Sequence, residues 1–303
     1  MDRLTGQTSR RAALTLIGGT LLLCSTPAAQ ADVRALVESD PSASAPILDA
    51  LRQRFPSLPV GSVASLPLLR PSSVTYLAIG PAAFRAALTA RITEPLLVLF
   101  SSRQSYETAL KETQRYPGMK ISAIFAETSP DTQFELIGKI YQRRVTVGVM
   151  LSEFSAQQAP ALQRAASRFG LDLLSHRLAP SDNVVRELSA LSSASVILVI
   201  PDTAVLSSDN LRGILESTYR RGQAVIGYTP ALVKAGTLGT AYATLEDVLD
   251  QLPQLLAEFE QGRVPEPRYP SFWRIAINES VARSLNLVVS DDVRALARRK
   301  GPQ

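Results

Sequence analysis

Short, unbroken apolar runs alternate with amphipathic stretches along most of this chain, and that alternation narrows its fold more than any other feature. Strand-like runs at 33–37, 74–79, 95–100 and 121–125 are followed by helical spacing over 45–55, 82–90, 104–115 and 131–141. The series then restarts: 145–151, 172–176 and 196–200 are followed by helical patterns over 156–169, 184–191 and 208–221, and 224–228 comes after a stop at Gly222. Strands apolar on both faces and separated by helices belong to parallel sheets covered on both sides. The expected fold class is therefore α/β, as two Rossmann-like lobes with mainly parallel sheets and a hinge cleft.

The N-terminus has a different pattern. Arg3 and the pair Arg10-Arg11 precede an apolar run over 12–24, and Ala29-Gln30-Ala31 closes the segment. Basic residues, a short apolar run and an A-x-A site make a secretory leader, with cleavage expected after Ala31 and a periplasmic destination. The apolar run is too short for a membrane span, which needs ~20 residues. The arginine pair also resembles a twin-arginine leader, although Ala13 stands where a large apolar residue is usual. Cys24, the only cysteine, follows Leu23 rather than a small residue, so loss with the leader is expected in preference to lipidation.

Removing 31 of the 303 residues leaves 272, enough for two lobes. The leader carries three arginines and one aspartate, so its loss takes the net charge from +5 to +3. Charge that mild and that scattered excludes a nucleic-acid partner, and Arg298-Arg299-Lys300 reads as a solvated tail. His176 is the only histidine, and no G-x-S-x-G, P-loop or G-x-G-x-x-G occurs. Neither an enzyme nor a cofactor is expected. Asp291-Asp292 reads as capping a final helix over 293–300.

In open α/β sheets, ligands sit beyond the carboxyl ends of the strands. The candidate ligand-binding residues are therefore Glu38, Ser39, Gly80, Pro81, Ala82, Ser101, Ser102, Ser152, Glu153, Asp202, Thr203, Tyr228 and Thr229, with Tyr242 added as an aromatic wall. Small residues before helices leave backbone N–H groups for an anion such as a carboxylate. Gly80, Pro81 and Ala82 fit that role or a plain strand-to-helix turn. Tyr228 and Tyr242 either stack on a ligand or pack as hinge and wall, and Glu38 and Glu153 are cleft residues or exposed loop glutamates.

Three stretches resemble the ABC-transporter substrate-binding proteins of the aromatic amino acid (tryptophan) type. They are Tyr76 to Ala83, Ser195 to Val205, and a C-terminal set comprising 222–228, 233–239, 261–265 and Ile275 to Leu287. The resemblance implies the periplasmic binding protein type I fold and an acid, here Asp202, facing a ligand's amino group; a helix cap is the other role open to Asp202. The chain departs from the family at Ser101-Ser102-Arg103-Gln104, where an Asp-Pro is usual, at Ser122-Ala123 in place of Thr-Gly, and over 244–249, where a glycine is missing. The resemblance also implies a monomeric solute-binding protein without a membrane span in its mature form. Lobe 1 would comprise 32–120 plus about 240–268, and lobe 2 would comprise 121–239 plus about 269–303. Its partners would be a small-molecule, amino-acid-like solute and an ABC permease or other envelope protein. The alternative is an envelope adaptor or sensory subunit with no transported ligand.

Overall fold

The computed structural model describes residues 32–38, 44–66, 74–113 and 116–297. The leader with Cys24, Ser39 and the tail 298–303 lie outside the described residues.

The first sheet is built from β1 (Asp32–Val37), β2 (Val60–Ser62), β3 (Val74–Ile79), β4 (Leu96–Ser101) and β5 (Ile121–Phe125), in the order β2-β1-β3-β4-β5. Every pairing in it is parallel. The second contains β6 (Thr146–Leu151), β7 (Asp172–Arg177), β8 (Val196–Leu198), β9 (Ala224–Ile226), β10 (Gly239–Tyr242) and β11 (Arg274–Ile277), in the order β11-β10-β9-β8-β6-β7. Only its β10–β11 pair is antiparallel.

Twelve α-helices cover these sheets: α1 (Ala45–Arg54), α2 (Gly80–Thr89), α3 (Arg103–Thr113), α4 (Pro130–Tyr141), α5 (Ala159–Arg168), α6 (Val184–Glu187), α7 (Ser208–Arg220), α8 (Pro230–Ala235), α9 (Leu245–Leu249), α10 (Leu252–Glu260), α11 (Glu279–Ser284) and α12 (Asp291–Ala295) among the described residues. The two-residue period of a strand distributes its side chains to both layers. On β3, Leu77 and Ile79 join Leu51 of α1 and Leu255 of α10, whereas Tyr76 and Ala78 join Phe84 and Leu88 of α2. On β6, Val147 and Val149 pack with Phe134 of α4, and Met150 packs on the opposite face with Leu188 and Ile214. Both faces of each sheet are thus buried, as the unbroken apolar runs require.

The chain passes between the sheets three times: from β5 into α4, from β10 into α9 and α10 on the first sheet's core, and back into β11. The return passage lies along β5, where Phe125 N–H donates to Arg268 O (3.0 Å) and Arg268 N–H donates to Ala123 O (2.9 Å). The 121–125 strand is the last in the order of the first sheet, with Arg268 bridged to Ile124 alongside it, and β10 belongs to the second sheet.

Several elements differ in extent from the sequence pattern. The 196–200 and 224–228 runs stop as strands at Leu198 and Ile226, and a 3₁₀ turn precedes α5 and another follows α6. The last helix is capped by Ser290, whose side chain accepts from Val293 N–H; Asp291 and Asp292 occupy its first turn, where their charges favour the helix dipole.

Gly239 shows how tightly β10 meets β11. A Cβ there would lie 2.9 Å from Ala276 O and 2.7 Å from Ile277 Cδ1. Gly239→Val is expected to cost about 1–3 kcal/mol by overpacking, read as a lowered urea midpoint; an unchanged midpoint would contradict this register.

Candidate functional site

The carboxyl ends of the two sheets meet at a cavity. Glu127 and Thr128, just past β5, line it together with Leu198 to Pro201 at the end of β8, Tyr228 past β9, and Tyr269 from the return passage. About 350 Å³ is free of atoms, part of it open to solvent, and only about 20 Å³ admits the centre of a water molecule. That is room for about one water.

Glu127 is the only charged side chain among the described residues lining the cavity. Ala126 N–H donates to Ser101 O (3.0 Å), which turns the chain at the end of β5. Glu127 Oε1 then accepts the N–H of Arg103, the first residue of α3, at 2.9 Å. Its Oε2 is buried without a hydrogen-bond partner, and the residue is 8% exposed. Burial pushes this carboxyl up to about 7, against the pull of the Arg103 N–H, its own backbone N–H and the Arg103 charge; Glu107 adds to the rise.

Two tyrosines flank the carboxylate. Tyr269 packs edge-on against Phe125 with ring centroids 5.2 Å apart, and Arg103 Nη1 donates to its hydroxyl at 3.3 Å. The Arg103 guanidinium also lies 5.8 Å from the Tyr269 ring centre and donates to Glu107 at 2.7 Å. Tyr228 is half-buried, and burial, Glu127 and Asp202 all raise its hydroxyl's pKa. Thr128 and Gln133 also line the cavity, but their donors are directed to Ala241 O, at 3.0 and 2.7 Å. They tie the first passage to β10.

At the rim, the Gln157 amide bridges the two sides: its Nε2 donates to Glu107 Oε2 (2.7 Å) and its Oε1 accepts from Lys111. Glu107 and Lys111 are on α3, and Gln157 lies in the turn before α5. These bonds join α3 to the segment before α5.

Of the residues chosen from the sequence, Tyr228 lines the cavity. Asp202 is 2% exposed and faces a polar knot beside it. Its Oδ2 accepts from Ser152 N–H (3.2 Å), Ser152 Oγ (2.7 Å) and Ser155 Oγ, and its Oδ1 accepts from Ala204 N–H (3.0 Å). Ser152 is thereby placed in the same knot. Ser102 Oγ accepts from Ser105 N–H at 3.1 Å, Thr229 caps α8, and the Ser101 hydroxyl is buried without a partner. Gly80 opens α2 with φ +83°, and Ala82 is half-buried behind it. Glu38, Pro81, Glu153 and Thr203 are exposed, and Tyr242 ends β10 opposite Arg274. His176 bonds Glu187 at 3.1 Å on the edge strand β7.

Glu127, Tyr269 and Arg103 were absent from that choice. Glu127 follows the recognised strand 121–125 by two residues, so the rule that selected the other strand ends also reaches it. Among the described residues, no helix is long and apolar enough to cross a membrane, and no group of three or more His, Cys, Asp or Glu is placed to hold a metal ion.

No protein-family model matches the chain, and no curated protein matches it by sequence. Solved structures do match its fold. An ABC domain in complex with L-Trp from Streptococcus pneumoniae superposes with a TM-score of 0.60 at 16% identity, covering 88% of this chain and 97% of that one. A ligand-free, open substrate-binding protein with adhesive properties from Clostridium difficile gives 0.59 at 17% identity, over 86% and 95%. A conserved domain protein from Vibrio cholerae gives 0.56 at 19% identity, over 87% and 96%. With the two sheets and three passages, these likenesses establish a bilobed fold of the periplasmic binding protein type I kind.

Proposed function

We propose that this chain is an exported solute-binding protein of the periplasm. It takes one small organic solute into the cavity between its sheets by hinge closure and presents it to an ABC permease or another envelope partner. Each sheet would form the core of one lobe, the three passages would form the hinge, and the protein would act as a monomer without a chemical step. One observation carries the reading: Glu127, whose Oε2 is buried without a hydrogen-bond partner, lines the cavity between the sheets together with Tyr228 and Tyr269. An unpaired buried charge is costly unless something pairs with it. The bonds at Gln157 support closure, since a hinge protein needs contacts that exist only when its lobes are together.

The small free volume favours a second reading, the adaptor or sensory subunit with no transported ligand. A thermal-shift screen of the secreted chain against amino acids, amines, sugars and organic acids separates the two. A solute at a hundred times its dissociation constant stabilises by ~2.7 kcal/mol, which is expected to raise the melting temperature by roughly 5–10 °C for a chain this size. No rise with any solute would leave the adaptor reading.

A further inference from the structure

We propose that the solute is an organic ammonium cation with a compact apolar body and no carboxylate, its N–H groups on Glu127 Oε2 and its body against Tyr228 and Tyr269. The inference rests on the solute-binding reading and narrows it. The cavity offers one charge, and it is negative. Glu127 Oε2 is buried and unpartnered, and Oε1 is already held by Arg103 N–H. An ammonium N–H would supply a charge-assisted bond of the strong kind, and tyrosine ring faces attract the same cation.

A ligand carboxylate meets the opposite situation. No cationic side chain lines the cavity among the described residues. Arg103, outside the lining, donates through Nε to Glu107 and through Nη1 to Tyr269. The donors of Thr128 and Gln133 serve Ala241 O. A second carboxylate beside Glu127 would be desolvated and repelled. The Gln158 amide also lines the cavity and carries no charge to balance a carboxylate, while Leu162, Leu198, Val199 and Ile200 accept hydrocarbon.

The groups facing Glu127 set the pH response. Arg103 of α3 favours its charged form, Glu107 of the same helix disfavours it, and Tyr228 and Tyr269 are neutral phenols near physiological pH whose pKa values are raised further by burial. Binding of the cation therefore strengthens as pH rises and Glu127 ionises.

Isothermal titration of the secreted chain with phenethylamine and n-butylamine, their amino-acid counterparts phenylalanine and norvaline, and 3-phenylpropionate tests the proposal. At least one amine is expected to bind about 100-fold more tightly than its amino-acid counterpart and than 3-phenylpropionate, the scale of one charge-assisted bond. Affinity is expected to fall about tenfold from pH 8 to pH 6. Glu127→Gln is expected to lose about 100-fold while retaining a cooperative melt. Amino acids binding as tightly as the amines, or a Glu127→Gln protein that keeps its affinity, would overturn the proposal. If neither amine binds but another class in the broader screen raises the melting temperature, the proposal fails and the solute-binding reading stands. If no solute of any class acts, both fail.

Discussion

Asp202→Ala is expected to lower the stability of the folded chain by about 3 kcal/mol, in the range seen when a buried hydrogen-bonded network loses its charged centre. Four donors converge on this carboxylate, from Ser152, Ser155 and Ala204. Alanine takes the acceptor from the two buried serine hydroxyls and from Ala204 N–H, while Ser152 N–H keeps Ser155 Oγ at 3.1 Å. The network joins the loop after β6 to the turn after β8, so its loss loosens the carboxyl end of the second sheet as well as the residue itself. Asp202→Asn retains one acceptor oxygen but opposes an N–H to a serine hydroxyl, and is expected to recover only part of the loss. Urea denaturation reads the difference as a lower midpoint at unchanged slope. A midpoint equal to that of the parent protein would mean that the carboxylate is not held as described.

Glu127→Gln is expected to act in the opposite direction on the empty protein. The carboxyl sits at about 7 in the folded chain against 4.5 unfolded, because burial disfavours its charge. Between those values the folded state keeps a proton that the unfolded state releases. The stability contribution is therefore fully present below pH 4.5, declines as pH rises and is lost above about pH 7. Glutamine does not titrate and can still accept from Arg103 N–H. The variant should gain on the parent protein as pH rises from 5 to 8, by up to roughly 3 kcal/mol. Urea midpoints of both proteins at the two pH values measure this, and parallel profiles would contradict it. A stabilising substitution that weakens solute binding is the pattern expected where a charge is kept for a ligand at a cost in stability.

The extent to which the sequence reveals all this differs by level. Unbroken apolar runs mark the parallel strands well, because burial on both faces leaves no polar position to confuse the period. Short or mixed segments are different. β2 has three residues, and β10 reads Gly-Thr-Ala-Tyr, which declares itself only through pairing with β9 and β11. α9 and α10 follow the last apolar run of the alternating pattern, and nothing local in them says that they pack on the first sheet's core; only the family resemblance returns about 240–268 to lobe 1. The strand-end rule reached Tyr228 and also gathered residues such as Thr229, Ser102 and Asp202, which fold into caps and a local knot. Hydroxyl and carboxylate side chains bond backbone or ligand equally well, so their type alone does not separate those roles. Glu127 stands out in three dimensions because α3 takes up one of its oxygens and leaves the other bare.

The most direct test is a co-crystal structure of residues 32–303 with a solute that raises their melting temperature. The solute is expected between the two sheets, with an N–H on Glu127 Oε2, its body against Tyr228 and Tyr269, and the cavity widened around it beyond the room for one water found without it. A solute bound on the outer surface, with the interlobe cavity still too small to hold more than water, would contradict that placement.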